Sequence, residues 1–112
     1  MPVAKEPQRT KHVYVIELDA AVRTLRRFAL ANPGARPDKP CLYVDRTGLS
    51  PEQRFRKHKA GIQASPIVRT YGIRLRPQLY SRYNPMTHAE AVAMEKELAR
   101  RVRQRGFAVW QK

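Results

Sequence analysis

One carboxylate in this 112-residue sequence stands where a carboxylate is expensive. Near the C-terminus Ala91, Met94, Leu98 and Val102 recur at helical spacing and define an inward stripe. At 100° per residue Glu95 falls roughly 40° from Ala91, inside that stripe, while Glu90 and Glu97 project from the opposite face. An unpaired carboxylate on a core face is costly, so Glu95 must meet an arginine, a hydrogen-bond donor or a metal ion. The plainer reading is a structural Glu95–arginine pair, and the other is a site. Arg54 and His58 lie four apart and stack on one face of a second helix beside Phe55. Arg56, Lys57 and Lys59 cover the rest of that helix, which by itself reads as a solvated basic helix anchored by Phe55. Tyr14 and Tyr43 sit mid-strand in segments able to pair, where a tyrosine usually belongs to the core with its hydroxyl at the rim.

The charge balance says what such residues would meet. Lys and Arg number 23 against 9 Asp and Glu, a net charge of +14, and that excess points to a polyanion. Arginine supplies 16 of the 23 cations, and its planar fork suits bidentate phosphate contacts better than lysine does. Nucleic acid is therefore the expected partner, DNA first and RNA as the alternative. A membrane surface is disfavoured, because no segment joins a basic face to a wide apolar one. No obligate protein partner is evident.

The 42% apolar content belongs to a globular chain with one core. Cys41 is the one cysteine and cannot form an internal disulfide, which fits a reducing cytosol. The three histidines, His12, His58 and His88, lack zinc-ligand spacing. Residues 1–11 are polar, without the apolar stretch of a signal peptide, and read as a flexible basic arm. The expected location is cytoplasmic, and residues 12–112 form the domain.

These side chains need elements to position them. The run VYVIEL at residues 13–18 is rich in β-branched and aromatic residues and predicts a strand. Asp19 can cap a short helix carrying Val22, Leu25 and Ala29 on one side and Arg23, Arg26 and Arg27 on another, ending at Asn32-Pro33-Gly34. A proline-rich loop then delivers the chain to a second strand at 41–45. Ser50, Pro51 and Gln53 form the start of a helix that Gly61 ends. Ser65-Pro66 opens a further short helix through Tyr71. Ile73 and Leu75 alternate with Arg74 and Arg76, and Pro77 confines that strand to a sheet edge or ends it. Thr87-x-x-Glu90 opens the helix of Glu95, Gly106 stops it, and residues 107–110 read as a short strand or docked tail.

In order along the chain stand VYV at 13–15, YVD at 43–45, Thr47, Arg54-x-x-x-His58 and Glu95 in EAVAME. Together they resemble the GIY-YIG nuclease superfamily, over residues 13 to about 110. The motifs are short and individually common, and their order on strand, strand, helix and helix carries the likeness. The resemblance implies an α+β fold, a small antiparallel three-stranded sheet flanked by helices. It implies phosphodiester cleavage in DNA, with the family's tyrosines on Tyr14 and Tyr43, its arginine on Arg54 and its metal-binding glutamate on Glu95. His58 matches a position often histidine in the family and is a candidate relay. The implied mechanism is one-metal hydrolysis with Mg²⁺ or Mn²⁺ on Glu95, Arg54 offsetting developing charge and a tyrosine hydroxyl helping to deprotonate water. Arg46, Arg56, Lys57, Lys59, Arg74 and Arg76 are the expected nucleic-acid contacts.

Two departures qualify the likeness. Val13 stands where a glycine or small residue is common, and Asp45 stands where the family has glycine. Strand alternation puts Asp45 on the face of Tyr43, where it is either a second metal ligand or an obstruction to phosphate. Residues 19–39 exceed a tight hairpin and read as an insertion. The alternatives are a catalytically inactive nucleic-acid-binding module of the same fold, which Asp45 favours, and an unrelated basic RNA-binding or ribosome-associated protein.

Overall fold

Alternating β-branched and aromatic residues build the centre of the molecule. In the computed structural model, which describes residues 7–111, they form β1 (His12–Leu18) and β2 (Cys41–Thr47). The two pair antiparallel, with Tyr14 opposite Asp45 and Ile16 opposite Tyr43. Paired residues share a face of the sheet, so these four side chains project together. Val13, Val15, Leu42 and Val44 on the other face are equally buried, so the sheet is covered on both sides. Cys41 is a buried strand residue, as its neighbours suggest.

The fold is α+β, but the sheet is neither three-stranded nor wholly antiparallel. Its order is β3-β1-β2-β4, where β3 (Gly72–Leu75) lies antiparallel to β1 at one edge. The fourth strand, β4 (Ala108–Gln111), runs parallel to β2 with Trp110 beside Tyr43. A long helix carries the chain back along the sheet, and Gly106, at φ 93°, makes the turn that returns it beside β2. The edge so created is not left bare. The Asn32 side chain accepts from the Val109 N–H at 2.7 Å and donates to the Val109 carbonyl at 3.0 Å, imitating a further strand.

Asn32 belongs to the expected insertion, whose helix is broken in two. Asp19 does cap, accepting from the Ala21 N–H, but over a 3-10 turn (Ala20–Thr24). Leu25 is extended, and α1 (Arg26–Ala31) starts afresh. The buried anchors are consequently Val22 and Phe28, while Ala29 is exposed. Phe28 stacks on Trp110 with ring centroids 6.2 Å apart. The insertion thus covers the β4 side of the sheet.

The remaining helices follow their local signals. α2 (Pro51–Ala60) has both bonds of its Ser50–Gln53 capping box and ends at Gly61 with φ 79°. α3 (Pro66–Tyr71) follows, and α4 (His88–Gln104) opens on the Thr87–Glu90 capping box. α4 buries Ala91, Glu95, Leu98, Ala99 and Val102 against β2, β4 and β1, with Met94 half-buried. α2 packs over β1 and β3. Residues 1–6 of the expected arm lie outside the described residues. Next to them Arg9 pairs with Glu90 at 3.0 Å, and Lys11 exchanges backbone hydrogen bonds with Met86. Among the described residues no helix is long and apolar enough to cross a membrane.

Candidate active site

The β1–β2 register brings Tyr14 and Tyr43 together, with ring centroids 6.2 Å apart. His58, one turn beyond Arg54 on α2, lies against both rings at 6.1 and 5.7 Å. Phe55 is only half-buried, so the inward anchor of this basic helix is the imidazole, which is fully buried. His58 Nδ1 accepts the Ser65 N–H at 3.1 Å, and Nε2 lies 2.9 Å from the Tyr14 hydroxyl. A backbone N–H can only donate, so the proton of the neutral ring sits on Nε2 and is donated to Tyr14. In this tautomer His58 orients Tyr14 and leaves the tyrosine's own proton pointing elsewhere; it does not receive that proton. A relay role would first require release of Ser65.

Asp45 shares the tyrosine face. Tyr43 donates its hydroxyl to Asp45 Oδ2 at 2.8 Å, and the Arg46 N–H donates to Oδ1 at 2.8 Å. Glu95 reaches the same place from α4, and Arg46 donates to its Oε2 at 2.7 Å. Burial and then the neighbouring Asp45 push the Glu95 carboxyl up from 4.5 to about 7, against the pull of Arg46. Burial, followed by the charge of Asp45, raises the Tyr14 hydroxyl well above its ordinary value, with Arg54 opposing. Tyr43 is raised as well, by burial first, then by Tyr14 and Asp45. Both hydroxyls therefore keep their protons at neutral pH, and neither is a ready base.

Asp45, Arg46, Arg54 and Glu95 line an open cleft of about 410 Å³. Arg54 is fixed there by donating to the Gln63 carbonyl at 2.7 Å and the Ile62 carbonyl at 3.4 Å. Tyr14 and Tyr43 do not line the cleft: both are fully buried behind it, joined through Asp45 and Arg54. Residues from β1, β2, α2 and α4 thus meet at one place, where the tyrosines form an inner layer behind the cleft.

The expected nucleic-acid contacts divide. Arg46 is the partner of Glu95. Lys59 donates to the carbonyls of Arg69 and Gly72, where it satisfies the end of α3. Arg76 pairs with Glu17 at 3.0 Å, both half-buried. Arg56 and Lys57 border a separate depression with Leu49, Gln53, Ala60 and Ile62, and Arg74 is exposed on the edge strand.

Three contributors escape a reading of motifs. Arg46 follows Asp45 in β2, so alternation assigns it to the other face, yet its long side chain reaches Glu95 from near the strand end. A signal for it exists: an inward glutamate requires a cation, and Arg46 adjoins the residue expected beside that glutamate. Ser65 fixes the imidazole, and Asn84 bonds both the N–H and the carbonyl of Val13, bracing β1 beside Tyr14.

The oxygen donors here are Asp45 and Glu95, both under a tenth exposed. Among the described residues no group of three or more His, Cys, Asp or Glu is arranged to hold a metal. Mg²⁺ is commonly held by one or two carboxylates, with waters and substrate phosphate completing the shell. Two adjacent carboxylates, Asp45 and Glu95, fit that pattern. No family model matches the chain, and no curated protein or solved structure does either.

Proposed function

We propose that the chain is a divalent-metal-dependent endonuclease of GIY-YIG type that hydrolyses phosphodiester bonds in DNA. The observation that carries this reading is the cleft itself, where Arg54 and Arg46 face the carboxylates of Asp45 and Glu95 over the buried tyrosines. Glu95 and Asp45 would hold the Mg²⁺ or Mn²⁺ ion. Such an ion supplies electrostatic stabilisation of the negative charge that develops on the phosphate oxygens.

The chain's own groups do the rest. Arg54, held by two carbonyls, presents its guanidinium to the phosphate and offsets charge that grows in the transition state. Tyr43 orients Asp45, and His58 orients Tyr14. The high proton affinity of both phenols keeps them protonated, so they support the cleft from behind, Tyr43 as the donor to Asp45, and neither serves as the base. Glu95, raised to about 7 by burial and by Asp45, would have to shed its proton to take the ion, so metal binding and its deprotonation would be coupled. The net charge of +14 supplies the long-range attraction for the substrate.

The test is incubation of the full chain with nicked, branched and linear DNA in Mg²⁺ or in EDTA. Cleavage in Mg²⁺ alone, abolished in Glu95→Gln with DNA binding retained, supports the reading. Binding without any cleavage by the wild type, at any Mg²⁺ or Mn²⁺ concentration, assigns the chain to the inactive binding modules, with Asp45 as the obstruction.

A further inference from the structure

A second cavity adjoins the cleft, with Arg46 in the wall of both. It measures about 190 Å³, and among the described residues it is lined by Lys11, Arg46, Thr47, Gly48 and His88, none of them a carboxylate. Glu90, the acid of the neighbouring helix turn, accepts from the Thr87 N–H and from Arg9 instead. Lys11 is held by its backbone exchange with Met86, so its stem starts from a fixed point. Its ammonium enters no ion pair among the described residues. Gly48 makes room for that ammonium, since a Cβ there would sit 3.1 Å from Lys11 Nζ. Its φ lies outside the left-handed region, so space rather than backbone conformation is what the glycine supplies. A small polar cavity, walled by an unshared ammonium, a guanidinium and an imidazole, is built for a compact anion with several acceptor oxygens.

We infer that this pocket is a subsite for one backbone phosphate of the nucleic acid, adjacent to the phosphate that enters the cleft. Lys11 is its charge, His88 a further donor and Gly48 its clearance. The shared wall at Arg46 sets the two phosphates on one strand and so fixes the register in which the strand meets Glu95. The inference deepens the nuclease reading and rests on its choice of DNA as ligand.

The experiment measures duplex binding by the full chain in EDTA, by fluorescence anisotropy over a salt series, for wild type, Lys11→Gln and Gly48→Ala. Loss of one phosphate contact should reduce the slope of log K against log salt by about 0.9 in Lys11→Gln. Gly48→Ala, which crowds the ammonium, should weaken binding in the same direction. In a duplex scanned with single methylphosphonates, one position should weaken the wild type and leave Lys11→Gln unaffected. Equal slopes for wild type and Lys11→Gln overturn the subsite, as does a methylphosphonate scan in which the two proteins lose affinity alike at every position. Cleavage is read separately in Mg²⁺. A wild type that never cuts, yet shows the slope change, keeps the subsite and loses the nuclease. One that cuts with an unchanged slope does the reverse.

Discussion

Replacing Glu95 by glutamine should remove a pH dependence from folding. In the native state burial and Asp45 raise this carboxyl from 4.5 to about 7, so the folded chain holds a proton that the unfolded chain has released. Where the native state binds more protons, stability falls as pH rises. The stabilisation is complete below about 4.5 and is lost as pH climbs through about 7. At 1.36 kcal/mol per pKa unit the full shift sets an upper limit of about 3 kcal/mol, because Glu95 titrates together with its neighbour Asp45. The side chain is only 10% exposed, so solvent screening removes little of it. Glutamine stays neutral throughout, and Arg46, at 38% exposure, turns to water instead of being stranded. Glu95→Gln should therefore match the wild type near pH 4 and exceed it by up to about 3 kcal/mol at pH 8. Urea unfolding at half-unit pH steps, followed by circular dichroism, measures the difference. Parallel stability curves across pH 4–8 would refute the argument that Glu95 is buried against a second carboxylate.

His58→Ala deletes a fully buried ring, leaving a cavity, an unpaired Ser65 N–H and an unsupported Tyr14 hydroxyl. It should cost about 3–5 kcal/mol in urea unfolding; a cost under about 1 kcal/mol would show that the imidazole is not part of the core. Asp45→Gly tests the two readings of the departure from the family pattern. As a ligand beside Glu95, Asp45 should be missed: single-turnover cleavage should slow and its Mg²⁺ requirement rise. Faster cutting at an unchanged Mg²⁺ requirement would identify Asp45 as an obstruction.

What was legible in the sequence was what local chemistry determines. Thr87 and Glu90, or Ser50 and Gln53, meet within one helical turn, so both capping boxes could be read from four residues each. The inward aim of Glu95 followed from helical period alone, and the shared face of Tyr43 and Asp45 from strand period. The pairing of 41–44 with 108–111 had no such local signal. A run such as AVWQ states that it can be a strand, but whether it lies parallel to β2 depends on where α4 ends, which is a property of the packed whole. The break at Leu25 was hidden for a related reason. Its apolar spacing suits a continuous helix, but burial of Phe28 against Trp110, together with the bonds from Asn32 to β4, sets a different path. In α2 the period placed Arg54 and His58 correctly on one face, while hydrophobicity favoured Phe55 as the anchor. His58 goes inward because Tyr14 and Ser65 offer its two nitrogens partners.

At the cleft the fold works against its own stability. Two carboxylates under a tenth exposed stand side by side, and the single arginine on them bonds Glu95 by its side chain and Asp45 only by its N–H. Such pairs seldom stabilise a fold, and apolar residues of similar volume would serve a core at least as well. The tension also has a sign. Asp45 and Glu95 share the one Arg46 guanidinium, which bonds only Glu95, while Arg54 on the opposite wall is hydrogen-bonded to carbonyls and has no carboxylate partner among the described residues. A ligand that relieves both must be a cation on one side and an anion on the other. On the proposed function, a divalent ion held by the two carboxylates together with a phosphate at Arg54 would meet that requirement, whereas a strand bound without metal would answer only Arg54. On the proposed nuclease reading, Mg²⁺ should strengthen binding of a strand at this cleft, and Glu95→Gln should make binding insensitive to it.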